Sequence, residues 1–157
     1  LGRSRRYVHI TTPYLILDDT TLAALKFAAK RGVEVIIIMP HIPDKLYAYL
    51  LARSYYAELL RAGVQIYEYT RGFIHAKMFT SDDEKAVVGT INLDFRSLYL
   101  HFECASYFFR NAVVMDVEED FQKTLAKSER ITLENCRKYP FIRRFAGKAL
   151  RILAPLM

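Results

Sequence analysis

The sequence predicts an α/β domain in which a mixed, largely parallel β-sheet is flanked by helices on both faces. Three observations lead to this prediction: strand-like and helix-like segments alternate up to residue 69, the run 33–39 is apolar apart from Glu34, and a hairpin pattern follows Gly72. Strands that alternate with helices are joined by crossovers and therefore run parallel. An apolar run of this kind is typical of a strand that is buried on both faces of a sheet.

The first half of the chain contains three predicted strands and two predicted helices. Asp18 and Asp44 are suited to cap the N-termini of the helices, and Gly32 and Gly63 are suited to end them. The predicted bounds in chain order are a strand at 7–12, a helix at 18–32, a strand at 33–39, a helix at 44–63 and a strand at 64–69.

The second half of the chain adds antiparallel strands to this core. Two strands joined by the turn-rich connection 81–84 form a predicted hairpin. Cys104 lies in a third, apolar strand and is expected to be buried. The predicted bounds are strands at 73–80, 85–90 and 103–109, helices at 112–128 and 131–139, a single domain at 1–139 and a basic amphipathic segment at 140–157.

Composition is that of a globular α/β protein. Of the 157 residues, 52% are hydrophobic and 25% are charged, which suits one well-filled core. No apolar run approaches the roughly 20 residues that span a bilayer, so the chain itself is expected to be soluble. It starts without Met and enters its first strand almost at once, so we interpret it as a piece of a longer protein. Cys104 and Cys136 lack C-x-x-C spacing and are interpreted as free thiols in a reducing compartment.

The net charge of +6 lies in the C-terminal tail. Residues 135–157 include six basic side chains and no acidic ones. The 23 Lys and Arg less these six leave 17, which equals the 17 Asp and Glu. The remainder of the chain is therefore neutral, which argues against a broad nucleic-acid-binding face and for a local basic patch.

The segment from His75 to Asn92 has the pattern H-x-K-x4-D-x6-G-T-x-N. Side chains alternate along a strand, so Lys77 is expected to face the same side as His75. The imidazole can act as nucleophile or proton donor, and the ammonium supplies positive charge to a phosphate oxygen. Each residue alone has a structural explanation, as a histidine within a strand or a solvated lysine. Their combined spacing predicts half of a phosphodiester-cleaving active site.

Further residues complete the candidate site. Thr90 and Asn92 follow the second hairpin strand and are suited to bind phosphate oxygens together with Lys77. Glu103 begins the next strand, where its carboxylate can accept a hydrogen bond from the second imidazole nitrogen of His75. Such a bond would set the tautomer and stabilise the imidazolium.

Asp82 lies in the hairpin turn, which predicts a role in the turn and in a lysine network rather than in chemistry. The expected catalytic set is His75, Lys77, Asp82 and Glu103. No metal site and no cofactor are predicted. His9 and His41 are expected to be structural or surface residues, and His41 is the better of the two as a ligand-binding candidate, because it follows a buried strand.

These residues resemble the phospholipase D superfamily, and within it the C-terminal catalytic half of bacterial cardiolipin synthases. The extension 89–97, Gly-Thr-Ile-Asn-Leu-Asp-Phe-Arg-Ser, and the segment 101–103 carry this resemblance. An Asn usually stands in that family where this chain has His101, a difference that affects substrate contacts more than catalysis. Shorter similarities occur at 12–14, 53–56, 58–60, 63–64, 66–69, 72–75 and 153–156.

The resemblance implies a site built from two such motifs, one from each half of the parent protein, that meet across a pseudo-twofold axis without a metal. One histidine attacks phosphorus to give a phosphohistidine, and the other protonates the departing alcohol. By its position His75 belongs to the second motif, so general acid/base catalysis is expected for it, with the nucleophile as the alternative. Lysines and asparagines of both motifs stabilise the charge on the phosphate oxygens.

The implied reaction is the joining of two phosphatidylglycerols with release of glycerol. The implied partners are this anionic phospholipid, the N-terminal phospholipase D-like half of the parent and a membrane surface, but no nucleic acid. The full-length parent is expected at the bacterial cell membrane. Two alternatives stay open: a single-motif phosphodiesterase or nuclease of the same superfamily that is active as a homodimer, and a lipid-binding domain without activity.

On a helical wheel the segment 140–157 is amphipathic, although Gly147 and Pro155 weaken the helix. Its apolar side consists of Phe141, Ile142, Phe145, Ala149, Ile152, Leu153 and Leu156, and its basic side of Arg144, Lys148 and Arg151. Two interpretations are open. The helix either packs on the domain or lies in a membrane interface, drawn to anionic lipid by its basic side.

Overall fold

The structure is a computed structural model that describes residues 1–156, without the Leu156 side chain. Met157 and that side chain, both part of the predicted amphipathic segment, lie outside the described residues. The strands are β1 Tyr7–Thr11, β2 Glu34–Pro40, β3 Gln65–Tyr69, β4 Met78–Ser81, β5 Lys85–Gly89, β6 Ala105–Phe109 and β7 Ser128–Ile131. The helices are α1 Asp19–Lys30, α2 Leu46–Arg61, α3 Val113–Leu125, α4 Leu133–Lys138 and α5 Phe141–Leu150, with a π-helix at Arg96–Leu100 and a 3-10 helix at Arg151–Leu156.

Within this range the strands form one sheet in the order β6-β5-β4-β1-β2-β3-β7. Strands β1, β2 and β3 pair in parallel, whereas β4, β5, β6 and β7 join by antiparallel pairing. The predicted mixed α/β fold is confirmed, but the sheet is less parallel than predicted. The reason is that β4 returns to the free edge of β1, where Met78 pairs with Thr11, and starts an antiparallel meander.

Helices cover both faces of the sheet. On one face Leu51 of α2 and Ile37 of β2 share the main core, to which α1 also contributes. On the other face Phe121 of α3 packs with Ile38. Alternate residues of β2 thus enter opposite cores, which explains why residues 35–39 show no polar alternation. None of the helices in residues 1–156 combines the length and the apolar character needed to cross a bilayer.

A short strand separates two helices that the sequence predicts as longer. Strand β7 occupies the end of the helix predicted at 112–128 and the start of the helix predicted at 131–139. Its sequence, Ser-Glu-Arg-Ile, has no apolar alternation. Only its pairing with β3, where Ser128 lies opposite Tyr69, makes it a strand.

Two side chains have surroundings other than those predicted. Cys104 is exposed and not buried, because it precedes β6, an edge strand in which no residue is buried. Asp44 precedes the N-cap of α2 and does not cap it, and it instead accepts a hydrogen bond from the Tyr14 hydroxyl. Asp18 does cap α1, where it accepts a hydrogen bond of 3.2 Å from the Thr21 amide.

Helix α5 packs across α2 at Gly147. A Cβ atom at this position would collide with the Leu50 carbonyl oxygen and crowd the Ser54 side chain, so only a glycine lets the two backbones approach this closely. The opposite side of α5, which includes Phe141 and Phe145, is exposed. Gly147, which has a low helix propensity, is therefore the residue that allows α5 to pack against α2.

Replacing Gly147 with Ala tests this close approach. In a helix without the contact, the change would stabilise the protein by about 1 kcal/mol, because alanine has the higher helix propensity. We expect destabilisation by about 1–3 kcal/mol instead, because the added Cβ collides with α2. Urea unfolding measures the difference, and Gly2→Ala is the control, since no atom lies within 4 Å of its Cβ position. A stabilised Gly147→Ala variant would contradict the packing described above.

Candidate active site

His75 and Lys77 lie in the irregular segment that leads into β4, and not on a strand. The strand predicted at 73–80 is shorter than expected because its neighbour β1 ends at Thr11, so residues before Met78 have no partner on that side. Strict alternation therefore does not set the directions of the two side chains. Instead, the Lys77 ammonium turns back and donates a hydrogen bond of 2.7 Å to the His75 carbonyl oxygen.

The His75 imidazole is exposed and contacts two aromatic rings. Phe73 stacks on it with 5.4 Å between ring centroids, and Tyr14 meets it edge-on at 6.2 Å. The ring opens into a cavity of about 520 Å³ that Lys77 and Thr90 also line. The structure thus brings these three predicted site residues to one open cavity.

The charges around His75 favour its neutral form. Partial burial, and next to it the charge of Lys77, lower the pKa of the His75 imidazole below its ordinary value, while Asp44 acts in the opposite direction and Lys45 adds to the lowering. Partial burial also lowers the pKa of the Lys77 ammonium, which Glu103 partly offsets. A neutral imidazole next to an ammonium is a suitable base or nucleophile beside an anion-binding charge.

The structure places Glu103 against Thr90 and not against His75. The Thr90 hydroxyl donates to the Glu103 carboxylate and accepts a hydrogen bond of 3.0 Å from the Cys104 amide. Gly89 allows this arrangement, because a Cβ there would collide with the backbone of 104–105. Hydrogen bonds from Thr90 and then Ser97 lower the pKa of the Glu103 carboxyl. The bond from His75 to Glu103 that the sequence predicts is therefore not formed among residues 1–156.

Asn92 lines a neighbouring cavity of about 350 Å³, not the cavity of His75. Its amide nitrogen donates a hydrogen bond of 3.2 Å to the Ser97 hydroxyl, and its buried Oδ1 has no hydrogen-bond partner among the described residues. Tyr14 lines the same cavity and contacts His75, so the two cavities adjoin at that ring. His101 also lines this cavity, where its Nε2 accepts a hydrogen bond of 3.2 Å from Arg96.

Asp82 lies at the far end of β4, in the turn and in the left-handed region at φ 59°. Its carboxylate accepts hydrogen bonds from the amides of Arg5, Arg6 and Tyr7 at 2.8–3.0 Å. Although partial burial opposes ionisation, these amides lower the pKa of the Asp82 carboxyl. Its hydrogen-bond partners are thus main-chain amides of the N-terminal segment, and of the predicted lysine network the described residues show the charge of Lys85, which also lowers the pKa of Asp82.

Three residues near His75 were not predicted as site residues: Tyr14, Asp44 and Lys45. Tyr14 contacts His75, and the charges of Asp44 and Lys45 act on its imidazole. A signal for them was present, because they follow β1 and β2, two parallel strands whose carboxyl ends meet at one edge of the sheet. His9 and His41 hydrogen-bond to Glu118 at 2.8 Å and Glu68 at 3.0 Å. No group of three or more potential metal ligands occurs in residues 1–156.

The chain has relatives in sequence among known proteins. A family model described as "Cardiolipin synthase, PLD-like domain" matches residues 1–125. A cardiolipin synthase from Alkalihalophilus pseudofirmus is 40% identical over 154 residues, which cover 98% of this chain and 31% of that protein. The chain spans about a third of the length of the curated relatives that it matches.

Two solved structures are similar in fold. Phosphatidylserine synthase from Haemophilus influenzae has a TM-score of 0.74 at 15% identity, and the match covers 99% of this chain and 42% of that one. Nuc, a phospholipase D family member from Salmonella typhimurium, has a TM-score of 0.67 at 16% identity, and the match covers 83% of this chain and 84% of that one. At these identities the similarity shows the fold alone.

The substitution Lys77→Met tests the influence of the ammonium on His75. Removing the charge is expected to raise the imidazole pKa toward the ordinary value of about 6.5. Because folding lowers this pKa, protonation favours the unfolded chain, and stability is lost as the pH falls from about 6.5 through the folded-state pKa. NMR titration of the imidazole measures the midpoint, with His75→Gln to assign the signal. Lys127→Met is the control, and an unchanged midpoint in Lys77→Met would refute the coupling.

The substitution Asp82→Asn separates support of the turn from chemistry. Asparagine keeps the shape of the side chain but removes the negative charge that accepts hydrogen bonds from three amides. We therefore expect a loss of about 1–3 kcal/mol in unfolding free energy at neutral pH. In the unsubstituted chain this contribution is expected to fade as the pH falls from about 3.9 through the lowered pKa of Asp82. Glu129→Gln, at an exposed position of β7, is the control. Unchanged stability with lost activity of the parent protein would assign Asp82 to the chemistry.

Proposed function

The chain belongs to the cardiolipin synthase family of phospholipase D-like domains, and from this premise we propose that it is the second catalytic domain of a cardiolipin synthase. The proposed reaction is phosphatidyl transfer between two phosphatidylglycerols, with the site completed by an N-terminal half that lies outside this chain. The observation that carries the proposal is the open cavity shared by His75, Lys77 and Thr90, in which a neutral imidazole lies beside a fixed positive charge.

The proposed chemistry has two displacements at phosphorus. The phosphate of a bound phosphatidylglycerol raises the pKa of His75, which then takes up a proton from solvent. A ring nitrogen of a histidine from the N-terminal half attacks this phosphatidylglycerol, the bond from phosphorus to the glycerol oxygen breaks, and protonated His75 gives its proton to the departing glycerol. Neutral His75 then takes the hydroxyl proton of a second phosphatidylglycerol, whose oxygen attacks phosphorus as the N–P bond breaks. Cardiolipin and glycerol are the products, and both histidines return to their starting forms.

The electrostatics support this role of His75 and keep the nucleophile as its alternative. A lowered pKa makes the neutral ring the resting form, which suits the base step and also suits a nucleophile. It also makes the imidazolium the stronger acid once it is protonated. Lys77 would bind a phosphate oxygen in either role. The unpartnered Oδ1 of Asn92 in the adjoining cavity would accept a hydrogen bond from a hydroxyl group of the same substrate.

Exposed apolar side chains beside the site support a partner domain. Phe73, which stacks on His75, is half exposed, and Phe102, directly before Glu103, is fully exposed. Tyr99 and Leu100 are exposed in the same stretch. Exposed large apolar side chains of this kind are typical of a contact with another protein segment, for which we propose the N-terminal phospholipase D-like half of the parent.

We propose a membrane surface and anionic phospholipid as the other partners. Four of the six basic residues that account for the net charge lie in the segment 140–157, and the exposed side chains Phe141, Ile142 and Phe145 accompany them. Such a combination favours an anionic lipid interface. The parent protein would then act at the bacterial cell membrane, and the neutral remainder of the chain gives no broad surface for nucleic acid.

A homodimeric phosphodiesterase or nuclease is the second candidate. The match to Nuc favours it, because 83% of this chain covers 84% of that one, so a chain of about this length occurs as a complete phospholipase D family member. In such a dimer a second copy of the chain would supply the other histidine. Size-exclusion mass with an activity assay separates the two: an inactive monomer supports the catalytic half, and an active dimer supports the second candidate.

In the full-length parent, His75→Ala is expected to reduce cardiolipin formation by about 10²–10⁴-fold or more, because the step that transfers the proton or forms the intermediate is lost. Lipid analysis of membranes that contain the variant measures the product, and circular dichroism and the unfolding midpoint report its folding. His41→Ala is the matched control, because this histidine is also exposed but hydrogen-bonds to Glu68 outside the cavity. Turnover retained by a folded His75→Ala protein would remove the assignment.

A further inference from the structure

A third cavity, of about 370 Å³, lies between α2, α4 and α5 on a part of the domain that the proposed chemistry does not use. Seven of the side chains that line it are cationic, and Glu58 is the only acidic one. None of them lines the cavities around His75 and Asn92. This cavity, which we call the basic cavity, is therefore a separate feature of the fold.

Two of the seven cations are neutralised within the domain. Arg53 forms an ion pair of 2.8 Å with the buried Glu68, and Arg151 an ion pair of 3.3 Å with Glu58. The other five have no ion pair with any carboxylate in the described part of the chain: Arg61, Arg137, Arg143, Arg144 and Lys148. Several unpaired cations around one cavity repel one another, so an anion bound among them is favoured.

The basic cavity also contains an unpartnered polar group. The Tyr139 hydroxyl is buried and has no hydrogen-bond partner within residues 1–156. A buried hydroxyl without a partner is unfavourable, because it has lost its hydrogen bonds to water, and a bound oxygen atom could accept one from it. The Tyr139 ring already lies under the Arg53 guanidinium, at 4.3 Å from the ring centroid, so its position is set by the domain.

An exposed apolar surface lies next to the basic cavity on α5. Phe141, Ile142 and Phe145 are 77%, 81% and 65% exposed, and Ile152, in the 3-10 helix that follows α5, is 82% exposed. At 3.6 residues per turn these side chains form one stripe opposite Gly147, whereas the cations at 144 and 148 lie on the flank. The same helix thus carries an outward apolar stripe and a basic edge.

We propose that the basic cavity binds the phosphate headgroup of an anionic phospholipid while the apolar stripe of α5 enters the acyl region of the same membrane. Guanidinium groups suit phosphate oxygens, and the Tyr139 hydroxyl donates one further hydrogen bond. The apolar stripe selects a lipid over a free phosphate, because only a membrane offers apolar surface beside the anion. The choice of a membrane lipid rests on the proposed function, but the site itself is not part of the transfer reaction.

Vesicle binding by the chain tests the proposal with the double variant Arg144→Gln/Lys148→Gln. The probes are vesicles of phosphatidylcholine alone and vesicles of phosphatidylcholine and phosphatidylglycerol in equal parts. We expect binding only to the second, and a loss on the order of tenfold or more in the double variant. The matched control is Arg3→Gln/Lys127→Gln, which removes the same charge from exposed positions outside the basic cavity. Urea unfolding of both variants confirms that each is folded.

Three results would overturn the proposal: an equal loss in both double variants, no loss in either, or tight binding of inorganic phosphate that Arg144→Gln/Lys148→Gln removes in the absence of vesicles. The first would mean that net charge alone is sensed, and the third would mean that the ligand is a free phosphate. Vesicle binding needs no turnover, so it is independent of His75→Ala. Vesicle binding by the chain as expected, together with full activity of the His75→Ala parent, would leave this site standing and remove the proposed function.

Discussion

The pairing of β4 with the free edge of β1 is the constraint on which the candidate site depends. Its register, Met78 opposite Thr11, brings the segment that contains His75 to the end of β1, where Tyr14 follows. At the other end of β4, the Asp82 carboxylate accepts hydrogen bonds from the amides of residues 5–7 and stabilises the strand in that register. Because β4 is held at both ends, the residues just before Met78 are restricted in position, although they pair with no residue of β1. The pairing of β4 with β1 and the hydrogen bonds of Asp82 therefore help to set the position of His75, although His75 takes part in neither.

Elements with a regular hydrophobic pattern were predictable from the sequence, and elements defined by their neighbours were not. Strand β2 and helix α2 were recognised because burial on both faces or on one stripe leaves a pattern in the residues themselves. Strand β7 and the short form of β4 depend on where a distant strand begins and ends. The same distinction applies to the site. The motif identified His75 and Lys77, whereas the bond of Glu103 to Thr90 follows from how closely β6 approaches Gly89.

The residues of this chain around His75 favour the neutral form of its imidazole, so the protonated form depends on groups outside the chain. Partial burial and Lys77 favour neutral His75, Asp44 opposes them, and Glu103, the carboxylate that the sequence predicts to stabilise the imidazolium, is bound by Thr90. A phosphate anion in the open cavity would raise the pKa of His75, since an opposite charge close to the ring favours its charged form. Substrate binding can thus favour protonated His75, the form that donates a proton. A carboxylate bound to His75 would instead favour the protonated form even without substrate.

Charge separation within the chain bears on how the domain meets a membrane. If the 23 basic residues were spread evenly, an anionic surface would attract every face of the domain about equally. Because the part of the chain before residue 135 is neutral, the net attraction acts on residues 135–157, and it is strongest when the basic cavity points at the lipid. Gly147 then has a second consequence. By holding α5 against α2, it couples the orientation of one amphipathic helix to the orientation of the whole sheet, and so to the direction in which the cavity of His75 opens.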